Sequence, residues 1–374
     1  MVHDTPVCHA DDAASAFYVA CSGGNLDHVR AFVQEFQPPA ADLAYALEEA
    51  CQNFRLDVVR FLLQQPDTRL HHRCFRRSTA HPEDDLAEKF GAGESRSVSQ
   101  SIFTSGHPRL IDLLKTFLEF GWHPNQLLGP LQKGKRPPIY LPRQEVALHY
   151  PRCILDLDIL RLLLDAGADP TIARDVVADI YFDLADQPVQ RMSGHILEMA
   201  VNLGTAEAVT LLLSRGARPA YGIPLHSLVR RRPDSSKIRI MDDAYTRELW
   251  HETPELQYPT LSTRLTMAGH LISHGEDINR IANVYRLVGR YCQVPTLAFE
   301  ATALSHAKEC MDWALVQWLL ENGADPAANP RPTFPPELIY SMGASSAEVE
   351  DMYQNVINKT KVKQEKGNDT QAVQ

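Results

Sequence analysis

The 374 residues contain no CxxC pair, no H-E-x-x-H, no G-x-S-x-G, no P-loop and no G-x-G-x-x-G. Each absence removes a class of chemistry: thiol redox enzymes and zinc ribbons, zinc proteases, serine hydrolases, nucleotide hydrolases and dinucleotide-dependent oxidoreductases. Cysteine is sparse and scattered: Cys8, Cys21, Cys51, Cys74, Cys153, Cys292 and Cys310. An odd number at wide spacing fits neither a disulfide framework nor a structural zinc site, and points to reduced thiols in the cytoplasm or nucleus. No stretch approaches the ~18 uncharged apolar residues of a membrane span. Residues 1–12 lack the basic start and apolar run of a secretory signal. Positive charge is also short: 37 Lys and Arg stand against 47 Asp and Glu, a formal net charge of -10. Such a chain repels phosphate backbones, so direct nucleic-acid binding is not expected. The expectation is a non-enzymatic protein with no cofactor, no metal and no catalytic residue.

What the chain does contain is a repeat. Leu26-Asp27-His28-Val29-Arg30-Ala31-Phe32-Val33 and Leu56-Asp57-Val58-Val59-Arg60-Phe61-Leu62-Leu63 share one pattern. It returns at Ile111–Leu118, Leu157–Leu164 and Ala206–Leu213, weakly at Leu265–Ile272, and finally at Trp313–Leu320. Each copy places apolar side chains on one face of a short helix. Five copies end in glycine, at Gly121, Gly167, Gly216, Gly275 and Gly323, where a left-handed residue stops a helix. Gly167-Ala168-Asp169-Pro170 and Gly323-Ala324-Asp325-Pro326 are identical. A second apolar segment precedes most copies, as in Phe17-Tyr18-Val19-Ala20, Leu47-Glu48-Glu49-Ala50, Leu197-Glu198-Met199-Ala200 and Leu304-Ser305-His306-Ala307. An apolar residue followed three positions later by alanine lets two helices approach closely.

This pattern resembles the ankyrin family, whose repeat of about 33 residues opens T-P-L-H-x-A and closes on a glycine turn. Ile223-Pro224-Leu225-His226 and Val146-Ala147-Leu148-His149 keep much of that opening. The resemblance implies an all-α, ankyrin-type solenoid of about seven helix-turn-helix repeats over residues 11–329. The repeats fall near 13–37, 42–66, 100–125, 145–171, 194–220, 223–280 and 301–327. It also implies that His149 and His226 are structural hydrogen-bonding residues between turns. The third repeat has a barely recognisable first helix near 100–106. Pro151 shortens or bends the first helix of the fourth.

The second-helix anchors Val29, Val59, Leu114, Leu160, Val209, Ala268 and Val316 are spaced 30, 55, 46, 49, 59 and 48 residues apart. All but the first spacing exceed the family period, which places insertions at 67–99, 126–144, 172–193, 230–261 and 281–300. Most lie between repeats, in the hairpin-like finger region; 230–261 interrupts the sixth repeat between its helices. Beyond the array, 330–374 is a C-terminal extension, with a helix expected over 345–363 and then a disordered polar tail.

Candidate contact residues follow from this layout. Trp250 and Tyr258 are aromatic anchors in an insertion, where no helical core claims them. Arg230, Arg231 and Arg232 begin the same insertion and can attract an acidic partner or lie solvated. Trp122 and His123 replace the usual Ala-Asp after Gly121; the ring either packs under the neighbouring finger or faces a partner. Trp313 and Trp318 lie on the second-helix pattern and are assigned to the core. His71, His72 and Cys74 lack the fourth ligand of a zinc site and are read as part of a solvated basic loop.

The functional expectation is a monomeric scaffold or adaptor whose partner is another protein, with no nucleic acid and no membrane involved. Two alternatives stand beside it. One is an enzyme or small-molecule binder with a site formed by the long insertions. The other is an ankyrin-type regulator of a transcription factor or a secondary-metabolism pathway, since divergent repeats with long insertions are similar to ankyrin proteins of filamentous fungi.

Overall fold

The computed structural model describes residues 10–66, 68–77, 100–104, 106–126, 128, 146–173, 192–229, 259–283, 300–328 and 346–371. Helix dominates among them, and strand is confined to two pairs of two-residue segments. Most of each expected insertion lies outside the described residues. The chain divides into two compact units, Met1–Ala168 with Arg174–Pro188, and Asp169–Ala173 with Val189–Gln374, where the sequence suggests a single array.

The first unit holds α1 (Ala10–Gly23), α2 (Leu26–Phe36), α3 (Ala40–Gln52), α4 (Leu56–Leu63), α5 (Leu110–Glu119), α6 (Arg152–Leu155) and α7 (Leu157–Asp165). The first helices α1 and α3 pack side by side, and the second helices α2, α4, α5 and α7 pack in that order. Polar caps start several of these helices. Asn25 accepts from the His28 amide (3.2 Å), and Asp156 accepts from Asp158 (3.1 Å) and Ile159 (3.2 Å), each cap contributing about 1 kcal/mol.

Among the described residues, the third repeat shows no first α-helix. A single 3-10 turn, Ile102–Thr104, stands in its place. Aromatic rings occupy the volume a helix would fill. Phe75 lies 5.1 Å from Phe117, 5.3 Å from Trp122 and 6.2 Å from Phe103, which in turn stacks on Tyr150 at 4.9 Å. The fourth repeat follows the expectation from Pro151: its first helix is broken into a 3-10 turn, Ala147–His149, and the one-turn α6.

The second unit holds α8 (His195–Leu203), α9 (Ala206–Ser214), α10 (Pro224–Ser227), α11 (Leu261–Ser273), α12 (Ala303–Glu309), α13 (Trp313–Glu321) and α14 (Ser346–Gln371). First helices α8, α10 and α12 pack in order, as do second helices α9, α11 and α13. Backbones meet closely where α8 joins the next repeat. The Gly194 amide donates to Tyr221 O (2.9 Å), and a Cβ on Gly194 would stand 2.4 Å from the Gly222 Cα. Trp313 and Trp318 are half-buried rather than core; Leu315, Val316, Leu319 and Leu320 fill the interior of α13.

α14 covers the last helix pair. It lays Val349, Tyr353 and Ile357 against α12 and α13. Lys308 pairs with Glu350 and stands 4.7 Å over the Tyr353 ring, and Lys363 reaches Glu321 at 2.7 Å. The helix runs to Gln371, past the end expected at 363; Lys361, Lys363, Gln364, Glu365 and Lys366 are good helix formers and no proline interrupts the segment.

Two buried polar links join neighbouring repeats of this unit. The His226 Nε2–H donates to Ala301 O at 2.9 Å, and burial pushes the ring pKa down to about 4, so the imidazole is neutral. His149, in the first unit, uses its other nitrogen: Nδ1 accepts from the Val146 amide at 3.2 Å. The second link is an ion pair. Arg264 on α11 holds Asp312, the residue before α13, through both guanidinium nitrogens, and donates to Leu228 O at 2.8 Å. Leu228 is where the chain leaves for insertion 230–261 and Arg264 lies just after it returns, so the pair closes the repeat across the insertion.

Replacing one partner of a buried, hydrogen-bonded ion pair strands the other charge. Arg264→Ala is expected to destabilise the protein by about 3–5 kcal/mol in urea titrations. Arg264→Met with Asp312→Leu is expected to recover most of that loss. A loss below ~1 kcal/mol for the single change would show that water reaches Asp312.

Candidate interaction surface

The glycine stops determine which side chains face outward. Gly121, Gly167, Gly216, Gly275 and Gly323 all have φ between 84° and 99°. The next amide then turns back to the carbonyl five residues earlier, as in Trp122 to Phe117 (2.9 Å), Ala168 to Leu163 (2.9 Å) and Ala324 to Leu319 (2.9 Å). That turn drives the residue after glycine inward. Trp122, Ala168, Ala217, Glu276 and Ala324 are all buried.

Trp122 therefore leaves the set of partner-facing residues. It is 4% exposed and packs against Phe75 and Phe117. His123 is exposed, but its ring has a local role: Nδ1 accepts from the Asn125 amide at 3.2 Å. Asp169, Asp277 and Asp325 do the same for the residue two positions on, at 2.8–2.9 Å. His123 thus substitutes for aspartate as the acceptor of the turn. Asn125 then donates to Gly167 O at 3.0 Å, tying one turn to the next. Trp250, Tyr258, Arg230, Arg231 and Arg232 lie outside the described residues.

The structure adds residues that the sequence reading passed over. Positions 30 apart on α1 and α3 are equivalent, which sets Tyr18 and Val19 beside Tyr45, Glu48 and Glu49 on the outer side of the first helices. Val19 is 66% and Tyr45 38% exposed, and Tyr45 meets Tyr18 edge-on at 4.6 Å. The Tyr18 hydroxyl bonds to Asp42; burial and that carboxylate raise its pKa. The result is an apolar strip rimmed by carboxylates. Its signal in the sequence was an apolar residue at a first-helix position whose neighbours in the repeat are polar.

Two hairpin stems stand at the edges of the repeats. β1 (Arg76–Arg77) pairs antiparallel with β2 (Gln100–Ser101), and β3 (Ala282–Asn283) with β4 (Glu300–Ala301). Insertions 78–99 and 284–299 leave from these stems, whereas 230–258 leaves between α10 and α11.

Among the described residues, no three His, Cys, Asp or Glu side chains gather as metal ligands. No helix among them is long and apolar enough to cross a membrane. Glu276 occupies the inward position that alanine holds in other turns. Neither of its oxygens has a hydrogen-bond partner among the described residues, and Arg280 stands 4.0 Å away. Burial raises its pKa to about 8, with Arg280 opposing and Asp277 and Glu198 adding to the shift.

No family model matches the chain, and no curated protein matches it.

Glu276 gives stability a defined pH dependence. Its folded pKa lies above the ordinary 4.5, so its contribution is complete below pH 4.5 and is lost as pH rises through about 8. Glu276→Gln is expected to flatten the thermal-melt profile over that window and to be the more stable form at pH 8. A wild-type profile unchanged by the substitution would show that the carboxylate is solvated.

Proposed function

We propose that this chain is a monomeric, non-enzymatic scaffold built on ankyrin-type repeats, and that it binds another protein in the cytoplasm or nucleus. The observation that carries the reading is the strip of Tyr18, Val19 and Tyr45 on the first helices. Val19 and one side of Tyr45 remain exposed after these helices pack, so a partner gains from covering them. The supporting framework is rigid in the way recognition requires. Paired helices repeat in one register, turns are tied to turns through Asn125 and Asn279, and His226 links the sixth repeat to the last. A scaffold of this kind presents side chains in fixed positions, which keeps the ordering cost of binding low.

Carboxylates Asp42, Glu48 and Glu49 around the strip favour a partner with basic residues at its rim. Trp250, Tyr258 and the Arg230–Arg232 run remain candidates for contacts from the sixth-repeat insertion.

Affinity purification from cells that express the protein, read by quantitative mass spectrometry, tests the proposal. Wild type is expected to recover one protein in near-stoichiometric amount. Val19→Asp with Tyr45→Ala is expected to reduce that recovery at least ~10-fold while helicity by circular dichroism is unchanged. Deleting 230–261 shows whether the insertion shares the contact. Equal recovery by wild type and the double variant would remove the strip from the binding surface.

A further inference from the structure

Insertion 67–99 begins with ordered structure, which corrects the reading of His71, His72 and Cys74 as part of a solvated loop. The chain forms a 3-10 turn, His72–Phe75, packed on α3, and then enters β1. Cys74 is fully buried. Its amide donates to His71 O at 3.0 Å, so the residue and the histidine sit at opposite ends of one turn. The His71 ring is anchored on α3, where Nε2–H donates to Ala44 O at 3.2 Å. The Cys74 thiol makes side-chain hydrogen bonds to both Cys51, in the last turn of α3, and His71. Cys74 therefore stands between a thiol and an imidazole, where a finger turn touches a first helix.

The electrostatics of this cluster differ from those of the other thiols described. Burial drives Cys21 up to about 12, and drives Cys153 well above the ordinary thiol range. Cys51 is raised by burial and then by its contact with Cys74. Cys74 moves the opposite way: hydrogen bonds from Cys51 and His71 outweigh burial and hold it well below the ordinary range. His71 is correspondingly raised, chiefly by its bond to Cys74. Cys74 is thus shifted toward the thiolate, with an imidazole and a second thiol beside it. Thiolate character is what makes a cysteine nucleophilic.

We propose that Cys51 and Cys74 form a peroxide-sensitive thiol pair whose disulfide fastens the turn before β1 to the end of α3. Hydrogen peroxide is the oxidant. The Cys74 thiolate attacks one peroxide oxygen, the O–O bond breaks, and the departing hydroxide takes the His71 proton as water. This leaves Cys74 as a sulfenic acid. The Cys51 thiol then attacks the Cys74 sulfur, forming the S–S bond; its proton leaves with the displaced hydroxide as a second water. Two thiols lose two electrons in total and one peroxide gains them. Both sulfurs are buried, so the rate is set by how often the short turn lifts from α3. The pair does not depend on the protein-binding reading, since it rests on α3 and the turn alone.

Native full-length protein treated with hydrogen peroxide, alkylated, digested without reduction and mapped by mass spectrometry tests this. The expected product is a Cys51–Cys74 cross-linked peptide that appears at least ~10-fold faster than oxidation of Cys21 or Cys153 and is reversed by dithiothreitol. Cys51→Ser is expected to abolish the cross-link and leave a Cys74 sulfenic acid that dimedone traps. His71→Gln is expected to slow loss of the Cys74 thiol at least ~10-fold. Oxidation of Cys74 no faster than of Cys153, or a cross-link joining any other pair, would overturn the proposal. Both overturning outcomes are read on wild type, so they hold even where a variant folds poorly.

Discussion

A left-handed glycine at the end of five of the second helices is the constraint on which the rest of this structure depends. With φ near +90°, the chain reverses within one residue, and the following amide closes on the carbonyl five positions back. That single backbone bond settles three things together. It ends the helix, buries the next side chain and leaves the residue after that free to accept from its own turn. A β-carbon at the glycine would be strained whatever space surrounds it. The first-to-second helix turns use the same geometry with less tolerant residues: Gly24 has φ 81°, but Phe54 and Met311 hold 54° and 56°. Phe54 is held in place by stacking on His107, with ring centroids 3.9 Å apart.

The helix pairs were legible in the sequence because their signals are local. Apolar spacing, the alanine three residues on, and the glycine stop all act within one repeat, so they survive insertions of any length between repeats. The direction of Trp122 was legible too, by register, since it stands where Ala168, Ala217 and Ala324 stand. A large ring there is compatible with packing or with partner contact, and backbone geometry decides the matter. Glu276 follows the same rule despite its charge, and its raised pKa is the consequence.

What the sequence did not reveal depends on contacts between segments with no shared motif. The aromatic cluster that replaces a helix in the third repeat gathers Phe75, Phe103, Phe117, Trp122 and Tyr150 from five separate places. Nothing in the spacing of two cysteines reveals that Cys51 and Cys74 touch; that follows from a turn folding back on α3. The Arg264–Asp312 pair is similar, because an insertion separates Arg264 from Leu228, the carbonyl it also binds. Long helices pose a different difficulty. α14 has a weak apolar stripe, so its end was placed where hydrophobic residues stop, whereas its polar residues favour helix on their own.

The two hairpin stems carry a consequence for how such a chain changes over time. Each stem is two residues deep and fixes the separation of the strands that enter and leave it. Once the ends are held, the entropy of closing the loop above them grows only logarithmically, by about 0.6 kcal/mol for each doubling of length. By that scaling, a change in the length of chain that a stem closes costs the helices that hold the stem little. The stem acts as a mechanical junction that separates the packing of the helices from the length of chain it closes.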